Sequence, residues 1–327
     1  MSFLKLSLPQ APDRYDYECV VVGAGPAGLT AALYLARYRV DVAVVTEAIG
    51  GEMALAPLVD DYPGLPGLTG SEMTRRFEEH VRRYKVPIIT GERMVGLERE
   101  GDRWAVVTAS GNRYSCYALI LAIGSRRRKL GVPGEEKLIG RGVSYCATCD
   151  GPLFEGKTVA VVGGGNAALS SALYLASIAR KVYLIHRREQ FRAFPHYVEM
   201  ARRSGRIELL LNHVVERILG EDRVTGVQVR NLVENASYTL PLDGVFVEIG
   251  SEPPRELLEP MGLELDEEGR VVVKPDMSTN LPGVFAAGEV AGGPCKYKFD
   301  QILTAAAEGA IAADAAYKYI LGLRGKL

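Results

Sequence analysis

The stretch Val21-Val22-Gly23-Ala24-Gly25-Pro26-Ala27-Gly28-Leu29 occurs a second time in related form, as Val161-Val162-Gly163-Gly164-Gly165-Asn166-Ala167-Ala168-Leu169. Each residue of the second copy lies 140 positions after its equivalent in the first. The same offset of 140 relates residues 32–36 to 172–176, which both read Ala-Leu-Tyr-Leu-Ala. Each copy combines an apolar strand, a glycine-rich turn, a helix and a second strand, the pattern of a nucleotide-binding unit. One such pattern is weak evidence, but two predict a duplicated unit. The predicted strands are 19–22 and 42–46 in the first copy, and 159–162 and 182–186 in the second.

The small residues of each turn have steric roles. The first glycine permits the tight turn, the second lets the backbone approach a pyrophosphate, and the third position lets the helix pack on the strand. The start of the helix then faces the phosphates. The candidate phosphate-binding residues are therefore Gly23, Gly25, Pro26, Ala27 and Gly28 in the first copy, and Gly163, Gly165, Asn166, Ala167 and Ala168 in the second.

The end of the second strand predicts which nucleotide each copy binds, because a residue there reads the adenosine ribose. The first copy has Glu47, which accepts hydrogen bonds from an unmodified ribose and repels a 2′-phosphate, so FAD or NAD is expected. The second copy has Arg187 at the equivalent position, followed by Arg188 and Arg192. Guanidinium groups suit a 2′-phosphate and indicate NADP. The alternative is that these arginines form an ordinary solvated face.

The second unit is predicted to be inserted into the first. Residues 281–289 resemble a short buried strand ending in Glu289, and 301–320 resemble a helix; both need a sheet to join, and the first sheet is the natural host. Glycines near positions 124 and 250 end apolar strands at 117–123 and 244–249 and mark the crossings. The sequence thus predicts an α/β fold with two Rossmann-like, three-layer domains. Residues 1–123 and 251–327 form a discontinuous FAD-binding domain, and 124–250 form the NADPH-binding domain.

Composition excludes several classes of function. The 327 residues carry 39 Lys and Arg against 40 Asp and Glu, a formal charge of −1, which argues against a nucleic-acid or membrane-surface binder. Two uncharged runs, 19–36 and 158–179, are long enough to span a membrane, but their glycine clusters favour strand-turn-helix units. Five cysteines are too few for a disulfide scaffold and indicate a reducing, cytoplasmic compartment. The N-terminal stretch shows no secretory signal pattern.

Two of the cysteines form the motif Cys146-Ala147-Thr148-Cys149-Asp150, just before the second glycine turn. Cysteines at this spacing can close a reducible disulfide, and a helix N-terminus stabilises a thiolate. Asp150 is a candidate acid–base group. Half of a zinc site and a chance spacing are the alternatives; zinc needs two further ligands, and the four histidines show no paired spacing. No chemistry and no metal site is assigned to Cys19, Cys116 and Cys295.

With these motifs, the sequence resembles the low-molecular-weight thioredoxin reductases over essentially its whole length. The resemblance rests on residues 23–28, 146–151, 163–168, the arginine run 186–193, and Gly283-Val284-Phe285-Ala286-Ala287-Gly288-Glu289. It implies a homodimeric flavoprotein in which NADPH reduces FAD and FAD reduces the Cys146–Cys149 disulfide. The dithiol then reduces thioredoxin or a glutaredoxin-like protein disulfide oxidoreductase. In this scheme Cys149 faces the flavin, Cys146 attacks the partner, Asp150 handles protons, and the inserted domain rotates about Gly124 and Gly250.

The resemblance also implies further cofactor contacts, and several of them depart from the family pattern. The usual Gly-Gly-Gln is Gly50-Gly51-Glu52, the usual Gly-Asp is Gly288-Glu289, and the usual Arg-Gln-Ala is Asp300-Gln301-Ile302. Carboxylates added at Glu52 and Asp300 are expected to make the reduced flavin less stable. Ser170 and Ser171 replace a common acidic pair near the nicotinamide. The remaining implied contacts are Asp61 and Gly124 for FAD and His186 for NADPH.

Other functions stay open at this point. The same fold could take electrons from another donor, such as reduced ferredoxin, or could act as an NAD(P)H oxidase or a peroxiredoxin-feeding reductase. A flavin-binding sensor without turnover is a further alternative, although the Cys-Ala-Thr-Cys-Asp motif argues against it.

Overall fold

The computed structural model describes residues 15–294 and 298–325. The strands, in chain order, are β1 (Cys19–Ala24), β2 (Val42–Ile49), β3 (Ile88–Ile89), β4 (Met94–Glu100), β5 (Arg103–Thr108), β6 (Arg113–Cys116), β7 (Ala118–Leu121), β8 (Arg126–Arg127), β9 (Val143–Ser144), β10 (Thr158–Gly163), β11 (Lys181–His186), β12 (Ile207–Leu211), β13 (His213–Leu219), β14 (Gly226–Asn231), β15 (Ala236–Pro241), β16 (Gly244–Glu248), β17 (Ser251–Glu252) and β18 (Val284–Ala286). The α-helices are α1 (Pro26–Arg37), α2 (Gly70–Arg82), α3 (Ala147–Asp150), α4 (Asn166–Ile178), α5 (Pro195–Arg203), α6 (Arg255–Leu258) and α7 (Ile302–Leu323).

The described residues divide into two compact units. The first contains residues up to Gly51, Thr74–Gly124 and the chain from Pro253 onward. The second contains Glu52–Met73 and Ser125–Glu252. The short antiparallel ribbon of β8 and β17 lies in the second unit, next to two of the four places where the chain passes between units.

The first unit is built on a parallel sheet with the strand order β18-β7-β1-β2-β3. Parallel strands buried on both faces read as continuous apolar runs, which is how β1 reads. The antiparallel strands β4-β5-β6 form a separate sheet. As predicted, β18 joins the first sheet, pairing Val284 with Leu119 of β7. The expected strand over 281–289 is wrong in length, however, because the strand ends at Ala286 and Gly288 adopts a left-handed conformation. Glu289 therefore lies beyond the strand.

The second unit repeats this plan with the parallel order β12-β11-β10-β16-β9. Successive side chains of a strand point to opposite faces, so the sheet has two cores. Val159 and Val161 of β10 pack with α4, whereas Ala160 and Val162 pack with the sheet of β13, β14 and β15. Layers therefore cover both faces of the sheet, as the sequence predicted.

The predicted apolar runs correspond to strands and helices with shifted ends. The long helix predicted over 301–320 is α7, whose N-cap is Gln301. The runs 19–36 and 158–179, weighed as membrane spans, each divide into a strand, a turn and a helix. Within 15–294 and 298–325, no helix has the length and apolar character needed to cross a bilayer.

Candidate functional site

The first glycine turn brings β1, α1 and the turn after β2 into close contact. A side chain at Gly28 would place its Cβ 1.9 Å from the Gly23 carbonyl oxygen, which accounts for the third glycine. The helix begins at Pro26, and its N-cap residue Gly25 has no side chain that could accept from the first backbone N–H groups, so these groups suit an anion. The turn at Gly50 is tied down because its N–H donates to the Ala24 oxygen at 2.8 Å.

Several predicted first-site residues lie around this turn. Glu47 has an exposed side chain near the end of β2. The Cα of Gly25 lies within 3.6 Å of where a Cβ on Gly51 would be, and Gly288 is similarly close to Ala27. The first unit thus brings Gly51 and Gly288 to the start of α1. Glu52 and Asp61 lie in the second unit, Gly124 is the last residue before it, and Gln301 caps α7.

The second glycine turn has the same architecture, with Gly165 as the uncapped N-cap of α4. Gly164 contributes a feature that the sequence did not reveal: a Cβ there would lie 2.2 Å from the His186 ring. The ring is held by a 3.1 Å hydrogen bond between Nε2 and the Gln190 carbonyl and by stacking on Phe191. Burial, with a smaller effect of the neighbouring arginines, lowers the His186 pKa, so the ring is neutral at pH 7.

The arginine loop folds back onto this turn, since the N–H of Arg192 donates to the Gly164 oxygen at 2.8 Å. The Asn166 side chain accepts from the N–H of Phe194 at 2.8 Å and closes the loop from the other side. Arg187, Arg188 and Arg192 are exposed, and within the part of the chain that the structure describes they form no ion pair. Three guanidinium groups thus lie beside a turn of the phosphate-binding type, and none has a carboxylate partner among the described residues. This arrangement suits an anionic ligand.

The cysteine motif forms a disulfide at the start of α3. Cys146 and Cys149 are joined by a disulfide, with Cys146 as the N-cap of α3. The N–H of Cys149 donates to Cys146 Sγ at 3.1 Å, a contact that favours negative charge on that sulfur after reduction. Thr148 lies 3.6 Å from the same sulfur and donates to the Leu55 oxygen at 2.5 Å. Because the sulfurs are bonded to each other, neither serves as a zinc ligand in this state.

Asp150 is half-buried directly after the disulfide. Its side chain makes no hydrogen bond or ion pair among the residues that the structure describes, so none of them occupies the carboxylate. The other described cysteines are inert: burial raises the pKa of Cys116 to about 12 and that of Cys19 well above its usual value. Cys295 lies outside the described residues.

A buried glutamate supports the segment before the disulfide. Glu135 accepts hydrogen bonds from the N–H groups of Leu130 and Gly131 and from the Tyr145 hydroxyl, at 2.7 to 2.8 Å. Burial, followed by this glutamate, raises the pKa of Tyr145, which precedes Cys146. The sequence does not predict the hydrogen bond between Glu135 and Tyr145, because Glu135 is one of two adjacent glutamates and the local pattern does not distinguish them.

The structure changes the interpretation of the added carboxylates. Arg127 binds Glu52 and Glu248 at 2.6 Å each, and Ser171 donates to Glu248 at 2.9 Å. In the first unit, Arg270 lies 2.9 Å from Asp300. Each of the two added carboxylates is thus paired with a guanidinium that offsets its charge, and their effect on the stability of the reduced flavin stays a prediction. Burial raises the pKa of Glu248, and Arg127 opposes this effect.

Comparisons with known proteins find relatives over most of the chain. The profile of the pyridine nucleotide-disulphide oxidoreductases matches residues 17–309. A thioredoxin reductase from Listeria innocua is 36% identical over 97% of this chain and 98% of the relative. A bifunctional thioredoxin reductase/thioredoxin from Mycobacterium leprae is 40% identical over 93% of this chain and 66% of the relative. The crystal structure of Lactococcus lactis thioredoxin reductase has a TM-score of 0.88 at 33% identity, over 94% of this chain and 99% of that one.

These matches confirm the predicted α/β fold with two Rossmann-like domains. They also imply a flavin and a nicotinamide nucleotide as cofactors. The glycine turns, the disulfide and the extent of the matches lead to one assignment: the chain belongs to the pyridine nucleotide-disulphide oxidoreductase family, among the thioredoxin reductases.

Proposed function

We propose that the protein is an NADPH-dependent thioredoxin-disulfide reductase that carries FAD. The observation that carries the proposal is the Cys146–Cys149 disulfide, which lies in the same compact unit as the second nucleotide turn. The Mycobacterium leprae relative, whose name joins a thioredoxin reductase to a thioredoxin, supports thioredoxin as the partner. A glutaredoxin-like protein disulfide oxidoreductase is a partner of the same chemistry. A homodimer in the cytoplasm is part of this proposal.

The two cofactors are assigned to the two turns. FAD is proposed to bind the domain of residues 1–123 and 251–327, at the turn of Gly23–Gly28, with Glu47 reading its ribose. Gly51, Gly288, Glu289 and Gln301 complete this proposed site within the first unit, and Glu52, Asp61 and Gly124 stay contacts that the family resemblance predicts. NADPH is proposed to bind the domain of residues 124–250, at Gly163–Ala168, with Arg187, Arg188 and Arg192 on its 2′-phosphate and His186 packed behind the turn.

The residues of the motif divide the work of disulfide exchange. A flavin held at the first turn would supply two-electron chemistry, with hydride acceptance from the nicotinamide and reduction of a disulfide. The S–S bond breaks as Cys149 accepts these electrons, and Asp150 delivers a proton to the dithiol. Cys146 attacks the partner disulfide as a thiolate, and Cys149 then resolves the mixed disulfide. Overall, NADPH, one proton and the partner disulfide give NADP⁺ and the partner dithiol.

An anaerobic titration with NADPH tests this electron path. FAD and one disulfide each take up two electrons, so we expect the flavin absorbance to bleach completely after about two equivalents of NADPH per flavin. Full bleaching after about one equivalent contradicts communication between flavin and cysteines and favours an oxidase. Failure of both NADPH and NADH to bleach the flavin, with bleaching by reduced ferredoxin, contradicts the donor assignment.

Replacing Gly164 with Ala should weaken the second site alone. The new Cβ would force the His186 ring to move, and overpacking of this kind costs about 1–3 kcal/mol. We expect the Kd of NADPH to rise roughly tenfold while FAD content stays unchanged, as measured by flavin absorbance and by equilibrium titration. Gly205→Ala, in the same unit with open space around the position, is the control. An unchanged Kd in Gly164→Ala would mean that the ring does not support the nucleotide turn.

A further inference from the structure

A buried ion pair holds both backbone polar groups of Gly288. The N–H of Gly288 donates to Glu308 Oε2 at 2.8 Å, and Lys298 Nζ donates to the Gly288 carbonyl at 2.8 Å. The two side chains also bind each other at 2.8 Å and are only 6% and 8% exposed. Taking an ammonium and a carboxylate out of water is costly, and good geometry with further hydrogen bonds is needed to offset the cost. In this ion pair, the further hydrogen bonds of both side chains go to the backbone of Gly288.

Gly288 lies close to the start of α1 in the first unit. Gly288 follows β18 in a left-handed conformation, and a Cβ on it would lie 3.1 Å from the Ala27 Cβ at the start of α1. Glu308 is carried by α7, which approaches the same point: a Cβ on the next residue, Gly309, would be 2.1 Å from the Ala27 oxygen. The ion pair therefore fixes the Gly288 turn between α7 and the N-terminus of α1.

The segment that provides Lys298 is fixed by a second ion pair. Asp300 lies 2.9 Å from Arg270 and 4.0 Å from Lys298. Lys298 thus faces one buried partner, Glu308, and one partly exposed carboxylate, Asp300, which also pairs with Arg270. The ammonium group is directed at the Gly288 carbonyl and Glu308 and away from solvent.

We propose that Lys298 and Glu308 are positioning residues of the flavin site. They act through Gly288: by holding its N–H and its carbonyl, they fix the Gly288–Glu289 turn against the uncapped start of α1. A rigid turn lowers the entropy lost on binding, so the ion pair should contribute to FAD affinity without contacting the reacting atoms. The inference rests on the proposed function, because it takes the first nucleotide turn as the FAD site.

The test compares the variants Lys298→Met and Glu308→Gln with Lys318→Met as the matched control. Lys318 lies on α7, the helix that carries Glu308, and pairs with Asp314 at 2.7 Å, but its side chain is 64% exposed. We expect Lys298→Met to raise the Kd of FAD at least tenfold and to release FAD from the holoenzyme several degrees below the unfolding midpoint. Glu308→Gln keeps an acceptor for the Gly288 N–H and should give a smaller effect of the same kind. Fluorescence titration, flavin fluorescence on heating and far-UV circular dichroism measure these quantities.

A charge swap separates the backbone contacts from the ion pair itself. Lys298→Glu with Glu308→Lys restores opposite charges but presents an ammonium to the Gly288 N–H and a carboxylate to its carbonyl. We expect no recovery of FAD affinity in this double variant, and full recovery would overturn the proposal.

The remaining outcomes are equally decisive. If the variants unfold at lower temperature but keep the Kd of FAD within twofold of wild type, the ion pair is a brace of the fold and the inference fails. If Lys298→Met does not fold, Glu308→Gln decides between the same two outcomes. A wild-type protein that binds no FAD contradicts the proposed function instead, so the two failures are distinguishable.

Discussion

Replacing Cys149 with Ser is expected to abolish disulfide reduction while leaving the flavin bound and reducible by NADPH. A serine hydroxyl cannot form a disulfide with Cys146, so the electrons have no covalent carrier beyond the flavin. Reduction of thioredoxin by NADPH should fall at least about 1000-fold, as losses of essential nucleophiles do. The anaerobic NADPH titration should shorten from about two equivalents per flavin to about one. Both quantities are measured by absorbance on the same preparation.

Two further variants make this result specific. Cys146→Ser should show the same loss of thioredoxin reduction and the same one-equivalent titration, because either substitution removes the disulfide. Cys116→Ala removes a thiol whose raised pKa keeps it protonated at pH 7, so the titration should stay at two equivalents. Continued reduction of thioredoxin by Cys149→Ser would show that the electrons bypass this disulfide.

The duplicated unit could be predicted from sequence because its causes are local. A glycine at position 28 is required by the carbonyl of Gly23, only five residues away, and the second copy has another small residue, Ala168, at the equivalent position. The strand over 281–289 was predicted too long for the opposite reason. What ends it is a turn at Gly288 held by Lys298 and Glu308, and the second of these lies 20 residues further along the chain. A local apolar pattern contains no information about such a partner.

The same distinction applies to the charges of the site. Glu52 was identified from sequence as an added carboxylate near the flavin, but its partner Arg127 is brought to it only by the fold. Arg127 also binds Glu248, which is 121 residues away. Ion pairs between distant residues depend on which strand ends meet, and one sequence does not specify that. The sequence therefore identifies the carboxylate Glu52 but not the guanidinium that pairs with it.

The arginine loop shows where sequence and structure reinforce each other. The sequence placed Arg187 at the end of the second strand of the unit, and the structure places the exposed side chains of Arg187 and Arg188 beside a turn with an uncapped helix start. Neither guanidinium has an ion-pair partner among the residues described. Binding of a 2′-phosphate would thus not require an internal salt bridge to break.

Replacing both arginines, in the variant Arg187→Ser/Arg188→Ser, should therefore change the cofactor preference. Loss of charge-assisted hydrogen bonds to the 2′-phosphate is expected to cost about 2 to 4 kcal/mol, a rise of roughly 30- to 900-fold in the Kd of NADPH. The Kd of NADH should change less than about threefold, since NADH has no 2′-phosphate. The charge-matched control is Arg202→Ser/Arg203→Ser, in the last turn of α5, which removes two arginines from the same unit. Equal losses of NADPH and NADH affinity in the first variant would show that Arg187 and Arg188 do not read the 2′-phosphate. An equal loss of NADPH affinity in the control would show that the arginines act only through the positive electrostatic potential of the domain.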